Sequence, residues 1–515
     1  MASITPLGNA ANDSASDRTA SSLAFHTVEG RLSNELIVAL VGPVGSGCTT
    51  TYDIMADEID KNYGYDCVYV RFSELIEQHA EEVGVEISSD LKGSDRIDRY
   101  QTAGDELRSK YGDSYLADRA IERIAIERDQ RGGYKEINGT RIVSPDRRIY
   151  FLDSLKNPAE LLRLKQVYGD LLWVVTVFAP DDVRYHRLLR KGVPEDAARH
   201  AMKRDYEEEE KYGQRVSKTA HQANYFIRNA SDNKDDLAKP VKRLFETIFG
   251  VTLHTPTRDE KGMMEAAAAA VRSACLSRQV GAAIYDVSGD LIGVGCNDVP
   301  KFGGGLYNED GADHRCFRWQ DGECHNDKHK KKLATRVADA VGTDDEKKIS
   351  LVSDTMDGGV ANLIEFSRSV HAEMEAIVSV ARLGNGSTLD GILYTTTFPC
   401  HSCARHIVAA GIKYVYYVEP YSKSLALELH SDSISLQEEA ADRVRFLQYE
   451  GFAPRTSLRL FSSVGRERKS EGKYKPIASQ TAAPIFASPL DSYTTSENLV
   501  IQQLNAEGGG YGTTG

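Results

Sequence analysis

Apolar positions along this chain fall into two rhythms. Between Glu35 and about Gly250, four short unbroken apolar runs (36–41, 67–70, 149–152 and 173–178) stand among longer amphipathic stretches. Unbroken runs of that length predict strands buried on both faces, as in a parallel sheet. The helical stretches between them complete an α/β layered domain. A second rhythm begins near Thr257. Residues 263–276, with five consecutive alanines, predict a helix packed closely on a sheet. Residues 280–285 and 291–294 predict a hairpin turning over 286–290. A polar insertion over about 301–365 follows. The pattern then resumes with a helix from His371, a strand over 391–395, a helix from Cys400 and a strand over 414–418.

The ends differ from both. Residues 1–33 are rich in Ser, Ala, Asn and Asp and read as a mobile polar arm. Residues 466–515, ending in Gly-Gly-Gly-Tyr-Gly-Thr-Thr-Gly, read as a disordered tail. The expected organisation is therefore an arm (1–33), an α/β domain (34–250), a second α/β domain (257–465) and a tail (466–515).

Composition narrows the function classes. A chain of 515 residues exceeds one ordinary core, which supports the division into two domains. No apolar run approaches bilayer length, and the start has neither a basic leader nor an apolar stretch, so a cytoplasmic location is expected. Thiols stay reduced there, and paired cysteines more often hold metal than form disulfides. The net charge of −13 argues against a nucleic-acid polymer as substrate. It leaves a small nucleotide open, because a few local cations serve one pocket.

The candidate chemistry starts with His371-Ala372-Glu373 and Pro399-Cys400-His401-Ser402-Cys403, each group opening a predicted helix. One imidazole and two thiolates supply three ligands to Zn²⁺ and leave its fourth position for water. The helix start at Cys400 favours thiolates. Glu373, two residues from the ligand His371, is placed to move protons as the catalytic acid and base. A redox Cys-x-x-Cys pair would need no His-x-Glu upstream, and a structural zinc site would want a fourth protein ligand. The insertion also holds His314, Cys316, Cys324, His325 and His329. These are candidates for a second, structural Zn²⁺, against the plainer reading of a solvated charged loop over 327–332.

In the first domain, Gly42-Pro43-Val44-Gly45-Ser46-Gly47-Cys48-Thr49 lies between a predicted strand and a predicted helix. It has the glycine spacing of a P-loop, whose backbone N–H groups wrap phosphates. Cys48 stands where the P-loop lysine is expected, so phosphoryl transfer by the standard route is not. Thr49 and Asp153 are candidates for Mg²⁺, and Gly42, Gly45, Ser46, Gly47 and Cys48 for a bound nucleotide. Arg184, Arg187 and Arg190 recur at helical spacing, as in the lid of small nucleotide kinases or on a solvated helix face. Residues 223–229 resemble a late strand of that class.

Residues 263–421, apart from the insertion, resemble the deoxycytidylate deaminase branch of the cytidine deaminase superfamily. The segment Ser-Arg-Gln-Val-Gly-Ala at 277–282 resembles that family's first strand entry. Gly-Cys-Asn-Asp-Val-Pro at 295–300 resembles its Gly-x-Asn-Gly-x-Pro segment, whose Asn contacts the sugar hydroxyl. By that match Asn297 and Arg278 are substrate-binding candidates. Asp298 stands where Gly is usual, and Glu375 where Asn is common in His-Ala-Glu-x-Asn; both bear on the phosphate state of the substrate. The combination of a P-loop kinase-like domain with such a deaminase domain resembles the bacterial antiphage cytidine-nucleotide deaminases. That resemblance implies conversion of dCTP, and of dCMP, to deoxyuridine nucleotides, which depletes the deoxycytidine pool during infection. It also implies a homo-oligomer, and the P-loop domain is expected to sense a regulatory nucleotide or a phage product, or to be a scaffold that has lost catalysis. The alternatives are a housekeeping dCMP deaminase supplying dUMP, an RNA or single-stranded DNA editor, and a nucleotide-dependent switch with an inert deaminase fold.

Overall fold

The computed structural model describes residues 27, 29–137, 140–206, 213–231, 233–341, 345–357, 360, 363–421, 423–462 and 468–506. The chain folds into two compact units. The first holds residues up to 223 together with 228–253 and the segment from 469; the second holds 224–227 and 254–468.

In the N-terminal unit the four apolar runs form four strands: β1 (Leu36–Val41), β2 (Asp66–Arg71), β3 (Arg148–Leu155) and β4 (Leu172–Phe178). They lie in the order β4-β1-β3-β2 and all pair parallel. Val38 of β1 sits beside Phe151 on one flank and Trp173 on the other. Every residue of β1 is buried, as an unbroken apolar strand inside a parallel sheet requires. At its C-terminal end β1 runs into the glycine loop and then helix α1 (Cys48–Asn62). Parallel sheets place their ligand-binding loops at this edge. Helices α2 (Asp181–Arg190) and α3 (Glu195–Tyr206) follow β4.

The tail departs from its expected disorder. Leu490–Ala506 is a helix of the N-terminal unit, with Leu490, Tyr493, Glu497, Val500 and Leu504 buried along one face. That spacing is helical, but the surrounding Ser, Thr and Gly dilute it in composition. Glu497 meets Arg128 (2.6 Å), which also holds Glu35 (2.9 Å), and Tyr493 donates to Glu35 (2.9 Å). All four side chains are buried. The end of the expected arm is ordered too, since Leu32 bridges to Pro489 and Ser33 N–H donates to Ser488 O. Residues 1–26 and 507–515 lie outside the described residues.

The C-terminal unit is built on six strands: β5 (Gly281–Tyr285), β6 (Leu291–Cys296), β7 (Ile392–Thr397), β8 (Tyr414–Glu419), β9 (Ile434–Ser435) and β10 (Val444–Gln448). Their order is β9-β10-β8-β7-β5-β6. The hairpin β5–β6 is antiparallel, and its turn is held by Asp286, whose carboxylate accepts from Ser288 N and Asp290 N. Strands β7, β8 and β10 run parallel. Helix α4 (Arg258–Ala270) starts at a capping box made by Thr257 and Glu260. It starts before and ends earlier than the expected 263–276, stopping at the last of the five alanines, because the chain then turns so that Ser273 donates to Asn297 O. The alanines do pack closely: a Cβ on Gly281 would lie 2.0 Å from Ala266 O, so β5 and α4 meet backbone to backbone.

The insertion is helical rather than a solvated loop, with α5 (His325–Val341) and α6 (Asp345–Asp357). Its charged run sits on α5, whose buried face is Lys330, Ala334 and Ala338. Helices α7 (Ala372–Leu383) and α8 (His401–Ala409) follow. No helix among the described residues is long and apolar enough to cross a membrane.

Candidate functional site

Both helices of the metal motif begin at a prospective ligand. His371 is the N-cap of α7 and Cys400 the N-cap of α8, where the Cys400 sulfur accepts from Cys403 N (3.4 Å). The Cys400 side chain, at an N-cap, turns to the exposed amides of the first turn, whereas that of His371 caps none. Cys400 Sγ and Cys403 Sγ, from the N-cap and first turn of α8, both reach His371 Nδ1 at 3.3 Å. Among the described residues this trio alone brings three His, Cys or carboxylate donors within 4.8 Å of one another.

The donor set fits zinc. Ligand bonds of about 2.0 and 2.3 Å at tetrahedral angles place nitrogen and sulfur roughly 3.5 Å apart. Hydrogen bonding from Cys403 and His371 holds the Cys400 thiol low, as a ligand thiolate requires. Sharing that proton pushes Cys403 up.

Glu373 lies in the first turn of α7 and is 4% exposed. Its carboxyl faces Cys403 Sγ at 3.4 Å through one oxygen and Thr395 Oγ1 at 3.4 Å through the other. Burial, reinforced by the Cys400 charge, pushes its pKa up. A carboxyl so placed holds a proton more readily than one in water and can pass it on.

Around this centre the structure assigns contacts to the remaining candidates. Asn297 is buried; its amide donates to Arg278 O (2.8 Å) and accepts from Val280 N (2.7 Å). It thus pins the loop that carries Arg278. Arg278 is half-exposed, reaches Glu419 (3.4 Å) and lies over the Tyr421 ring at 5.6 Å. Glu375 pairs with Arg382 (3.2 Å) and lines a separate cavity with Arg272 and Tyr307.

Asp298 has a role that sequence reasoning missed. Its side chain, almost fully buried, accepts from Ala274 N (2.8 Å) and Val299 N (2.8 Å), with Arg315 at 3.9 Å. Its backbone carbonyl accepts from Val370 N (3.0 Å), immediately before His371. A charged residue at an expected glycine position was the available signal.

No three of the five candidates for a second zinc bring their ligand atoms within 4.8 Å of one another. His314 contacts Tyr307 (3.2 Å) and Trp319, and His329 stacks on Phe366. Cys316 feels both Cys324 and Cys275 and accepts from the His325 backbone.

In the N-terminal unit the glycine loop contains two residues in the left-handed region. Gly45 and Gly47 adopt φ of +82° and +91°, where a side chain is strained. A Cβ on Gly47 would also strike the Asn229 amide at 2.3 Å. Thr49 Oγ1 donates to Asp153 (3.0 Å), which also accepts from Tyr69 OH. Cys48 is buried, which pushes its thiol up to about 12 and keeps it neutral. Arg184 and Arg187 are not a solvated face: Arg184 donates to Val44 O (2.9 Å), and Arg187 to Asn229 O (2.9 Å) behind the loop. Arg190 lines the cleft of about 600 Å³ in front of it.

Residues 256–419 match the family model of the cytidine and deoxycytidylate deaminase zinc-binding region. ComE operon protein 2 of Bacillus subtilis (strain 168) and the deoxycytidylate deaminase of Enterobacteria phage T2 are each 45% identical over 56 residues. That is 11% of this chain and 29% of each relative, so the chain spans less than a third of the curated relatives it matches. Among solved structures, the apo dCMP deaminase of cyanophage S-TIM5 aligns at 17% identity with a TM-score of 0.22, over 38% of this chain and 100% of that one. Its complex with dCMP and dUMP aligns at 20% identity with a TM-score of 0.23, over the same shares. The C-terminal unit thus carries a cytidine-deaminase-like domain.

Proposed function

We propose that the C-terminal unit hydrolyses the 4-amino group of a deoxycytidine nucleotide, with dCTP and dCMP as substrates, and so lowers the deoxycytidine nucleotide pool in antiphage defence. The observation that carries this is the trio His371, Cys400 and Cys403 with the buried Glu373 carboxyl beside it.

His371, Cys400 and Cys403 would hold zinc, which when bound activates water at neutral pH. Glu373 takes one proton of that water and delivers it to N3 of the cytosine, then takes the remaining proton of the hydroxyl added at C4 and delivers it to the 4-amino group, which leaves as ammonia as the C4 carbonyl forms. Thr395 faces the other carboxylate oxygen and limits the rotation of the Glu373 carboxyl. Asn297 fixes the loop that presents Arg278, whose half-exposed guanidinium is available to a substrate phosphate.

For the N-terminal unit, the glycine loop, Thr49 and Asp153 would bind the phosphates of a regulatory nucleotide, with Mg²⁺, and not transfer them. A neutral Cys48 supplies no charge to a leaving phosphate. The second reading, a dCMP deaminase that supplies dUMP, is favoured by the names of the matched relatives.

The test is turnover. Zinc-loaded protein is incubated separately with dCTP, dCMP, CTP and deoxycytidine, and uracil products are separated by chromatography beside a Glu373→Ala control. Formation of dUTP by the wild type alone supports the proposal. Product from dCMP alone selects the second reading, and product from the Glu373→Ala control rejects the assigned chemistry.

A further inference from the structure

The N-terminal cleft has lost its expected cation at position 48, yet the structure brings another to the same loop. Lys156, just past the end of β3, donates through Nζ to Gly42 O (2.9 Å) and to Asp205 Oδ1 (2.8 Å). Asp205, near the end of α3, accepts through Oδ2 from Val44 N (2.6 Å). Its side chain is 2% exposed and that of Lys156 is 21% exposed. One carboxylate therefore engages a glycine-loop amide and an ammonium together. These two kinds of donor are what a P-loop offers a phosphoryl oxygen.

We propose that this cleft binds a nucleoside polyphosphate, that Lys156 supplies the charge the loop lacks at Cys48, and that Asp205 holds the phosphate place until the ligand displaces it. The proposal rests on the phosphate reading of the glycine loop and not on the deaminase chemistry.

Three further features fit the ligand class. The cleft of about 600 Å³ is within the size range that receives a small ligand. Its lining also includes Phe72, Ile76, Ile97, Tyr100 and Leu116, apolar and aromatic side chains suited to a nucleobase. Thr49 and Asp153, 3.0 Å apart, offer a hydroxyl and a carboxylate to the Mg²⁺ that accompanies a polyphosphate. Lys156 Nζ donates to Gly42 O, and a Cβ on Gly42 would lie 2.6 Å from Cys48 Sγ, so the ammonium and position 48 border the same residue.

Because Asp205 and Lys156 are paired in the structure, binding requires an exchange of partners. The phosphate must compete with a carboxylate for Val44 N–H and for the ammonium. Removing the Asp205 charge then tightens binding, whereas a purely structural ion pair would show no such gain.

The experiment is calorimetric titration of the full-length protein, with Mg²⁺ present, using ATP and inorganic tripolyphosphate as probes. Neither probe contains a cytosine, so heat from deamination is excluded. Lys156→Met is expected to weaken ATP binding about tenfold or more, the loss of roughly one charge-assisted contact. Asp205→Asn is expected to tighten it several-fold. Cys48→Lys in the Lys156→Met background is expected to restore binding, because the cation returns by the usual route. If Lys156→Met fails to fold, judged by its thermal transition, Asp205→Asn carries the test, and unchanged or weaker ATP binding there overturns the proposed displacement. Wild-type affinity in Lys156→Met overturns the lysine assignment and leaves the loop reading standing. Tripolyphosphate binding as tight as ATP overturns the nucleoside part. A wild type that binds neither probe overturns the loop reading and the proposal with it.

Discussion

The two units carry their chemistry in opposite arrangements. In the C-terminal unit, every group of the metal centre comes from two short segments that each open a helix, and helix geometry turns the side chains toward one another. In the N-terminal unit, the loop from Gly42 to Thr49 is contiguous but lacks its cation. The ammonium that stands in for it comes from Lys156, 114 residues from Gly42, and is held by Asp205, 161 residues from Val44. A site whose geometry is local to a helix start tolerates no substitution within the motif. A site assembled from the sheet edge can exchange one residue for another reached through space.

The sharpest way to break this contrast is at Glu373. Glu373→Ala is expected to lower deamination by about 10²–10⁴-fold, the usual contribution of a positioned acid and base. Zinc content by elemental analysis should stay unchanged, because the carboxyl is not a ligand. Cys400→Ser should instead lose both metal and activity. Loss of zinc in Glu373→Ala would mean that the carboxyl belongs to the ligand set and that the centre is structural.

The second test addresses what holds the N-terminal cleft in place. Arg128 is buried between Glu35 and Glu497, so removing Glu497 leaves its charge paired with Glu35 but takes away the acceptor of two of its buried N–H groups. Glu497→Ala is expected to cost the N-terminal unit about 1–3 kcal/mol in denaturant unfolding. Hydrogen exchange should localise the loss to β1 and the helix Tyr115–Gln130, which carry Glu35 and Arg128 onto the tail helix. If the tail segment 490–506 exchanged as fast as free peptide in the wild type, the docking itself would be refuted.

That tail also marks where the sequence was legible and where it was not. Strands such as Leu36–Val41 were readable because an unbroken apolar run has one low-energy destination, a buried sheet, whereas Ile434–Ser435 and Val444–Gln448 went unread. The gathering of His371, Cys400 and Cys403 beside Glu373 was readable because all four lie within short motifs. The tail helix was not, because Leu490, Tyr493, Val500 and Leu504 carry their pattern through Ser, Thr and Asn, and the buried Glu497 looks polar in any window. Arg184 and Arg187 were ambiguous for a related reason. Helical spacing places charges on one face but does not say whether that face meets water or, as here, loop carbonyls. Lys156 and Asp205 gave no signal, since neither belongs to a motif.

A smaller effect is expected at Asp298, which ties the metal centre to more distant chain. Its carboxylate satisfies Ala274 N, and its carbonyl fixes Val370 beside His371. Asp298→Gly, which restores the residue usual in the resembling family, leaves the Ala274 amide without its partner at a cost of about 1–3 kcal/mol. We expect kcat/KM for deamination to fall roughly tenfold, the equivalent of about 1.4 kcal/mol, with zinc retained. Unchanged kinetics would show that the helix starts alone position His371, making the C-terminal site still more local than described.

The smallest effect concerns the support behind Asp298 and should be seen as a function of pH. Arg315, which approaches Asp298 at 3.9 Å, is held from the other side by Asp313 at 2.7 Å. Hydrogen bonds from Arg315 hold the Asp313 carboxyl down at about 2, against an ordinary value of 3.8. A carboxyl depressed in the folded state stabilises fully above its ordinary pKa, and that contribution is lost as pH falls through the folded value. The window is therefore pH 4 down to pH 2. Screening around the half-exposed Arg318 nearby reduces the contribution to about 1 kcal/mol. Asp313→Asn should unfold the C-terminal unit at lower denaturant above pH 4 and should converge with wild type near pH 2. The N-terminal unit contains no part of this cluster, so its own unfolding transition should be the same in both proteins at every pH. A shift there of equal size would mean that the two units do not respond independently, and the contrast between a local site and an assembled one would have to be drawn for the chain as a whole.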